Sequence, residues 1–184
     1  MLVTTRFETQ RLVVRTFEPR DTDAWIAMFS DPEVTRFIPA GPPRTRETFQ
    51  TQMAARHAME AELGYAMWAV EEKATGTFIG QCGLRPAAIM DPSAGSEIDL
   101  AYHLARASWN KGYASEAVVA VLGYGLETVG LEHVMAVALP DNVGSWRVME
   151  KAGMRYEGIA AYYGIGGLKK YVAERDWWKP PQTG

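Results

Sequence analysis

The sequence predicts a mixed α/β fold of the α+β kind, with a central mixed sheet and helices on both faces. Two patterns indicate it. In the first half, the β-prone segments 65–70 and 78–84 flank the turn signal Thr75-Gly76, which is typical of a hairpin. In the second half, strand-like and helix-like segments alternate along the chain. Hairpins followed by strand–helix–strand–helix units predict a sheet layered between helices.

The elements follow from periodicity and from start and stop residues. The apolar segment 11–15 predicts the first strand, and Asp21 is the candidate N-cap of the helix after it. A second helical region spans residues 44–63. Further strands are predicted at 97–104 and 133–139, and further helices at 115–129 and 143–152, which Gly130 and Gly153 end. The last segment predicts a β-rich tail whose hairpin turn is marked by Gly164 and Gly166-Gly167.

Length and composition exclude several classes of protein. The 184 residues predict one domain, residues 1–179, with a loose tail at 180–184. A formal net charge of −3 argues against a nucleic-acid binder with a broad basic face. A single cysteine excludes an internal disulfide framework, and with only three histidines the chain argues against a zinc site. No apolar run reaches the ~20 residues of a membrane span, and charges at Arg6 and Glu8 come too early for a secretory signal, so we expect a cytoplasmic protein.

The most informative stretch is residues 109–117, which connects a strand-like run to a helix-like run. Lys111-Gly112-Tyr113-Ala114 places two small residues at the mouth of that helix, where they let a ligand approach the backbone. The free N–H groups of a first helical turn and the helix dipole favour an anion there. A strand, a tight turn with glycine and a helix therefore predict a pyrophosphate site and a phosphate-bearing cofactor.

The same stretch resembles the cofactor-binding segment of the GCN5-related N-acetyltransferases. The family loop reads Gln/Arg-x-x-Gly-x-Gly/Ala, and here it reads Trp109-x-x-Gly112-x-Ala114. Tryptophan in the first place departs from the general pattern but is usual in the ribosomal-protein alanine and serine N-acetyltransferase (RimJ/RimL-type) branch. That branch also opens with Leu-x-Thr-x-Arg-Leu-x-Leu-Arg, similar to residues 7–15 here. Further matches in family order are residues 17–21, 30–34, 79–84 and 142–145.

The resemblance implies a sheet splayed open between its fourth and fifth strands, with acetyl-CoA in the split. It implies that backbone groups at the end of the fourth strand bind the acetyl and pantetheine groups, and that the helix after the fifth strand contacts the pantetheine arm. The cofactor-binding residues expected on these grounds are Tyr102, His103, Leu104, Trp109, Asn110, Lys111, Gly112, Tyr113, Ala114, Ser115, Asn142 and Ser145. No metal is expected.

Acetyl transfer to an amine needs a group that takes a proton from the ammonium. Strand alternation places Glu97 and Asp99 on one face of the strand that precedes the loop, and aligning on the turn glycine favours Asp99. Many relatives carry a tyrosine, the acid for the leaving thiolate, where this chain has Met149. Ser145, directly or through a water, is the candidate replacement, and Tyr162 and Tyr163 of the tail are alternatives.

The resemblance implies an N-acetyltransferase acting by direct attack in a ternary complex on a primary amine, such as a protein N-terminal α-amine. Two alternatives stay open: acetylation of a small-molecule amine or antibiotic, and an acyl-CoA sensor without turnover, which Met149 allows. A third class, a regulator that binds a mononucleotide, would not need the pantetheine arm. No nucleic-acid or membrane partner is expected, and the aromatic tail is compatible with a homodimer.

Overall fold

The computed structural model describes residues 4–181, so the last three residues of the predicted tail 180–184 lie outside the described part. The eight strands are β1 (Arg6–Glu8), β2 (Leu12–Arg15), β3 (Met67–Glu72), β4 (Thr77–Pro86), β5 (Ile98–Leu104), β6 (His133–Ala138), β7 (Arg155–Tyr162) and β8 (Ile165–Glu174). The helices are α1 (Thr22–Ser30), α2 (Pro32–Thr35), α3 (Arg46–Leu63), α4 (Tyr113–Gly123) and α5 (Val143–Lys151).

The strands form one mixed sheet in the order β1-β2-β3-β4-β5-β6-β8-β7, which confirms the predicted fold class. The fourth and fifth strands of the prediction are β5 and β6 here, because β1 was not foreseen. These two strands are parallel and pair at a single register position, Asp99 opposite Met135. The antiparallel ladder of β6 and β8 has six positions. A one-position ladder is what a sheet splayed between β5 and β6 requires.

The chain divides into two compact units, and β4, β5 and α4 each run from one into the other. The first unit extends to Gly83 and resumes over Tyr102–Ala117; the second takes Leu84–Ala101 and continues from Val118 onwards. The prediction of a single domain over residues 1–179 stays a prediction.

In the first unit, strands β1 to β4 pair antiparallel in chain order. Helices α1 and α3 contribute Trp25 and Phe49 to its core, and both side chains are fully buried. Their rings lie 5.4 Å apart, and Phe17 packs edge-on against Phe49 at 5.8 Å. Burial of these large rings, at roughly 25 cal/mol per Å² of apolar surface, stabilises the unit.

A buried ion pair connects β2 to the start of α1. Arg15 donates to both carboxylate oxygens of Asp21 at 2.8 Å, and to Glu71 at 3.0 Å. Burial alone would lower the pKa of Arg15, but the two carboxylates outweigh it and raise that pKa. Asp21 does precede α1, as predicted. Its side chain makes no cap hydrogen bond to that helix, however, because the carboxylate bonds Arg15 and the Glu18 N–H instead.

In the second unit, β6, β8 and β7 lie side by side and α5 follows β6. A small apolar cluster centres on Ala87, Met135 and Val172. The β7–β8 hairpin turns at Tyr163 and Gly164, which both have positive φ, at 60° and 74°. Gly164 was correctly predicted to mark this turn, whereas Gly166 and Gly167 were wrongly assigned to it and lie in β8. A two-residue turn with positive φ at both positions suits the twist of a hairpin.

Helix boundaries differ from the predictions for local reasons. Helix α3 begins after Thr45 rather than at residue 44, because Thr45 and Thr48 form a reciprocal cap. Helix α4 begins at Tyr113, two residues early, and its predicted last six residues, Tyr124–Val129, wind as a π-helical turn. Gly130, with φ of 82°, ends it as predicted.

Strand β4 approaches the end of β5 closely at Gly80. A Cβ on Gly80 would stand 2.3 Å from the His103 carbonyl oxygen and 2.8 Å from the Leu104 Cα. Both are backbone atoms, which cannot rotate away as a side chain would. Glycine is therefore required where β4 passes the residues expected to bind the acetyl group.

Replacing Gly80 with alanine should lower the free energy of unfolding by about 2 kcal/mol or more, the upper part of the range for overpacking. The matched control is Gly166→Ala, because a Cβ at Gly166 meets no atom within 4 Å, and its effect should stay within about 0.5 kcal/mol. Urea unfolding followed by circular dichroism measures both. Equal stability of the two variants would contradict the close approach.

Candidate functional site

The loop between β5 and α4 has an unusual backbone. After a single 3-10 turn at Arg106–Ser108, Asn110 and Gly112 both adopt left-handed conformations, with φ of 59° and 80°. Asparagine is among the few residues besides glycine that tolerate this region. Such conformations turn successive N–H groups toward one side and form anion-binding concavities. A loop with this backbone therefore lies immediately before the first turn of α4, where the anion site was predicted.

Trp109, which departs from the general family pattern, fixes the start of this loop. Its indole N–H donates to the Leu104 carbonyl at 2.8 Å. That carbonyl was predicted, with the backbone of Tyr102 and His103, to contact the acetyl and pantetheine groups. One of its two lone pairs is already occupied by Trp109, so the tryptophan joins the loop to the strand end.

Tyr113 connects the first turn of α4 to the end of β3. Its hydroxyl donates a short hydrogen bond to Glu72, which raises the pKa of Tyr113 and lowers that of Glu72. Ala114 and Ser115 follow in the same turn, where N–H groups have no partner four residues back. Lys111 is exposed and precedes this turn, and the Lys111 charge contributes to the lowered pKa of Glu72.

The imidazole of His103 is held in one tautomer. Trp25 and Arg56, which can only donate, both bond the side-chain oxygen of Gln81 at 3.2 Å. The Gln81 amide nitrogen must then donate to His103 Nδ1, 3.2 Å away. The neutral ring therefore carries its proton on Nε2. The ring centres of His103 and Phe29 lie 5.4 Å apart. The hydrogen bond and this ring contact hold the side chain in place, which the sequence alone did not indicate.

Asp99 lies in the second unit and is buried, with 3% of its surface exposed. Arg85 donates to its Oδ2 through Nε at 3.0 Å and through a terminal nitrogen at 2.8 Å. The Tyr163 hydroxyl is buried nearby, and burial together with the Asp99 charge raises the pKa of Tyr163. Asp99, Arg85 and Tyr163 thus form a carboxylate–guanidinium–phenol cluster.

Glu97 lies one residue before β5, outside the strand that was predicted to contain it. Lys170 contacts its Oε1 at 2.9 Å and His133 its Oε2 at 3.0 Å, while the Tyr162 hydroxyl lies 3.3 Å away. Burial opposes ionisation, but these partners outweigh it and lower the pKa of Glu97. Both carboxylate oxygens of Glu97 thus have a partner, whereas the Arg85 salt bridge engages one oxygen of Asp99.

The second unit also holds the other two predicted residues. Asn142 caps α5, since its side-chain oxygen accepts from the Ser145 N–H at 3.3 Å. Ser145 itself lies in the first turn of that helix. Met149, one turn further along, is 1% exposed, so the position where many relatives carry tyrosine is filled by a buried apolar side chain.

Neither a metal cluster nor a membrane-spanning helix is found in residues 4–181. No group of three or more His, Cys, Asp or Glu side chains in this range is placed to hold a metal ion. None of the described helices is long and apolar enough to cross a membrane. Cys82 is fully buried, and burial raises the pKa of its thiol, which makes it unreactive.

The sequence matches the model of a known family. The model of the acetyltransferase (GNAT) domain matches residues 11–155. The chain belongs to the GNAT acetyltransferase family. It is therefore an N-acetyltransferase, and the enzymes of this family use acetyl-CoA.

Relatives and solved structures support the assignment over nearly the whole chain. The uncharacterized protein YkkB of Bacillus subtilis (strain 168) is 34% identical over 155 residues, which cover 83% of this chain and 86% of that protein. A GNAT-family acetyltransferase from Bacillus anthracis is 26% identical with a TM-score of 0.75, covering 94% of this chain and 99% of its own. Mycobacterium smegmatis RimJ in complex with CoA-disulfide shares the fold, with a TM-score of 0.76 at 18% identity and coverage of 95% and 88%.

Sequence reasoning missed two residues that shape the GNAT loop, Arg11 and Glu116. Glu116, in the first turn of α4, accepts hydrogen bonds from Thr9 at 2.5 Å and from the Arg11 backbone at 2.8 Å. The signal was present in the segment Thr9-Gln10-Arg11-Leu12, which matched the family opening without an assigned role.

The ion pairs of Glu97 predict a pH-dependent stability. Because its pKa is lowered on folding, Glu97 stabilises the protein above its unfolded pKa near 4.5, and the contribution is lost as pH falls through the lower folded pKa. Glu97→Gln should therefore destabilise at pH 7, by less than about 1 kcal/mol for a partly exposed pair, and have little effect near pH ~3.

Urea unfolding at several pH values measures this difference. The matched control is Glu62→Gln, since Glu62 is exposed on α3, and its profile should follow the wild-type protein. A Glu97→Gln cost that grows as pH falls would contradict the assignment of Glu97 to a stabilising ion-pair cluster.

Proposed function

We propose that this chain transfers the acetyl group of acetyl-CoA to a protein N-terminal α-amine, by direct attack of the amine on the thioester. The observation that carries the cofactor assignment is the pair of left-handed residues, Asn110 and Gly112, before α4. An N–H-lined concavity at a helix N-terminus fits a diphosphate in charge and shape. The N-terminal acceptor is supported by the RimJ/RimL-type segments of the sequence.

Asp99 is the proposed base. The attacking nitrogen must first lose a proton, because an ammonium has no lone pair. Arg85 bonds Oδ2 of Asp99, and Oδ1 is the proposed acceptor of that proton, directly or through a water. The same salt bridge orients the carboxylate.

Bond formation between nitrogen and the acetyl carbon is accompanied by cleavage of the carbon–sulfur bond. The leaving sulfur takes the electron pair and one proton, and the nitrogen gives up its second proton as the amide forms, which restores the proton donor. Ser145, in the first turn of α5, is the proposed donor of that proton, directly or through a water, since Met149 has none to give. The demand is small, because an ordinary thiol has a pKa near ~8.5.

The test is thiol release from acetyl-CoA against peptides with free N-termini, aminoglycosides and polyamines. Release stimulated by the peptides alone supports the proposal, whereas stimulation by aminoglycosides would replace the protein acceptor with a small molecule. Cofactor binding without release on any amine would favour an acyl-CoA sensor. Absence of CoA binding would contradict the cofactor assignment.

With an acceptor in hand, Asp99→Asn should lower kcat about 100-fold, the lower range for loss of a general base, with CoA affinity unchanged. Ser145→Ala should lower kcat about ten-fold or less, because the thiolate needs little assistance. Asp176→Asn, at an exposed aspartate, is the matched control. Full activity of both site variants would contradict the catalytic assignments. The cytoplasmic location and the homodimer stay predictions.

A further inference from the structure

The segment Thr9-Gln10-Arg11-Leu12 carries side chains that the proposed chemistry does not use, yet it converges on the anion loop. Arg11 places three groups there. Its Nε lies 2.7 Å from Glu116 Oε2, a terminal nitrogen lies 2.6 Å from the same oxygen, and the other terminal nitrogen donates to the Lys111 carbonyl at 2.9 Å.

Glu116 holds the guanidinium in place. Its Oε1 accepts from the Thr9 hydroxyl at 2.5 Å and from the Arg11 backbone N–H at 2.8 Å, while Oε2 faces the Arg11 fork. Its side chain is 16% exposed. Burial opposes ionisation, but the donors of Thr9 and Arg11 outweigh it and lower the pKa of Glu116. The Arg11 guanidinium also lies 4.6 Å from the ring centre of Tyr113.

The bond to the Lys111 carbonyl has a consequence for the next N–H. No described peptide bond is cis, and in a planar trans peptide the C=O and the following N–H point in opposite directions. Arg11 holds the carbonyl of the Lys111–Gly112 peptide on its own side. The Gly112 N–H must therefore point away from Arg11.

Glycine at position 112 allows this arrangement. A Cβ there would lie 3.4 Å from an Arg11 terminal nitrogen, at a φ of 80° that L side chains rarely adopt. Because a freely flexing glycine can also flip its peptide, a group that holds the carbonyl is needed to keep the N–H in one direction.

We propose that Arg11, held by Glu116 and Thr9, is a positioning residue that fixes the Lys111–Gly112 peptide so that the Gly112 N–H binds the diphosphate of CoA. The inference rests on the proposed function. Three of the five guanidinium N–H donors of Arg11 are directed to Glu116 and Lys111, so its proposed part is to orient the peptide. Without the hydrogen bond from the Arg11 guanidinium, the Lys111–Gly112 peptide is free to flip. A flipped peptide presents its carbonyl oxygen, instead of its N–H, to the anion.

The test compares two acetyl donors that differ by the diphosphate-containing part, acetyl-CoA and acetyl-pantetheine. Arg11→Lys keeps the charge but loses the planar fork, and Glu116→Gln keeps the shape but weakens the anchor. Both variants should raise KM for acetyl-CoA, and Kd for CoA and dephospho-CoA, about ten-fold, the effect of ~1.4 kcal/mol. KM for acetyl-pantetheine and kcat should be unchanged.

Arg6→Gln is the matched control, because Arg6 forms an exposed ion pair with Glu8 on β1. This substitution should leave KM unchanged for both acetyl donors. Equal increases in KM for both donors would overturn the inference and show a role in stability alone. An unchanged KM for both donors would overturn it as well. Thermal unfolding shows whether each variant is folded. If a variant does not fold, the milder variant Glu116→Asp takes its place, and the chemical shift of the Gly112 amide in that variant reports the orientation of the peptide. An unchanged Gly112 resonance would likewise count against the inference. A wild-type protein that binds no CoA would contradict the proposed function first, and the inference with it.

Discussion

The carboxylate of Glu116 is the group on which the anion loop depends. It lies in the first turn of α4 and accepts hydrogen bonds from the Thr9 hydroxyl and from both the backbone and the side chain of Arg11. A negative charge is favourable at a helix N-terminus, so the same residue suits the helix and the segment before β2. Through Arg11 it also determines the direction of a peptide inside the loop. Loop, helix and first strands are thereby fixed to one another within the first unit.

Two carboxylates of similar chemistry have different surroundings in the second unit. Both oxygens of Glu97 have a nitrogen partner, the ammonium of Lys170 and the imidazole of His133. Asp99 is more deeply buried, yet Arg85 engages a single oxygen. Because Arg85 engages only one oxygen of Asp99, Asp99 rather than Glu97 is the proposed base.

Local patterns in the sequence predicted the anion loop, most strands and the two hairpins, because these depend on neighbouring residues. The interactions that shape the site are long-range. Arg11 and Glu116 are 105 residues apart, and Lys170 and Glu97 are 73 apart, so no periodicity reveals them. Strand β1 is only three residues long, too short for an alternating pattern. The turn at Tyr163 escaped notice because tyrosine rarely adopts positive φ.

The central claim is that the backbone N–H groups of the loop bind the diphosphate of CoA. A titration of ¹⁵N-labelled protein with CoA and with pantetheine, followed by amide resonances, tests it most directly. The account predicts that the amides of Asn110, Gly112 and Ser115 move strongly with CoA and remain in place with pantetheine. Equal movement with both ligands, or movement confined to other residues, would contradict it.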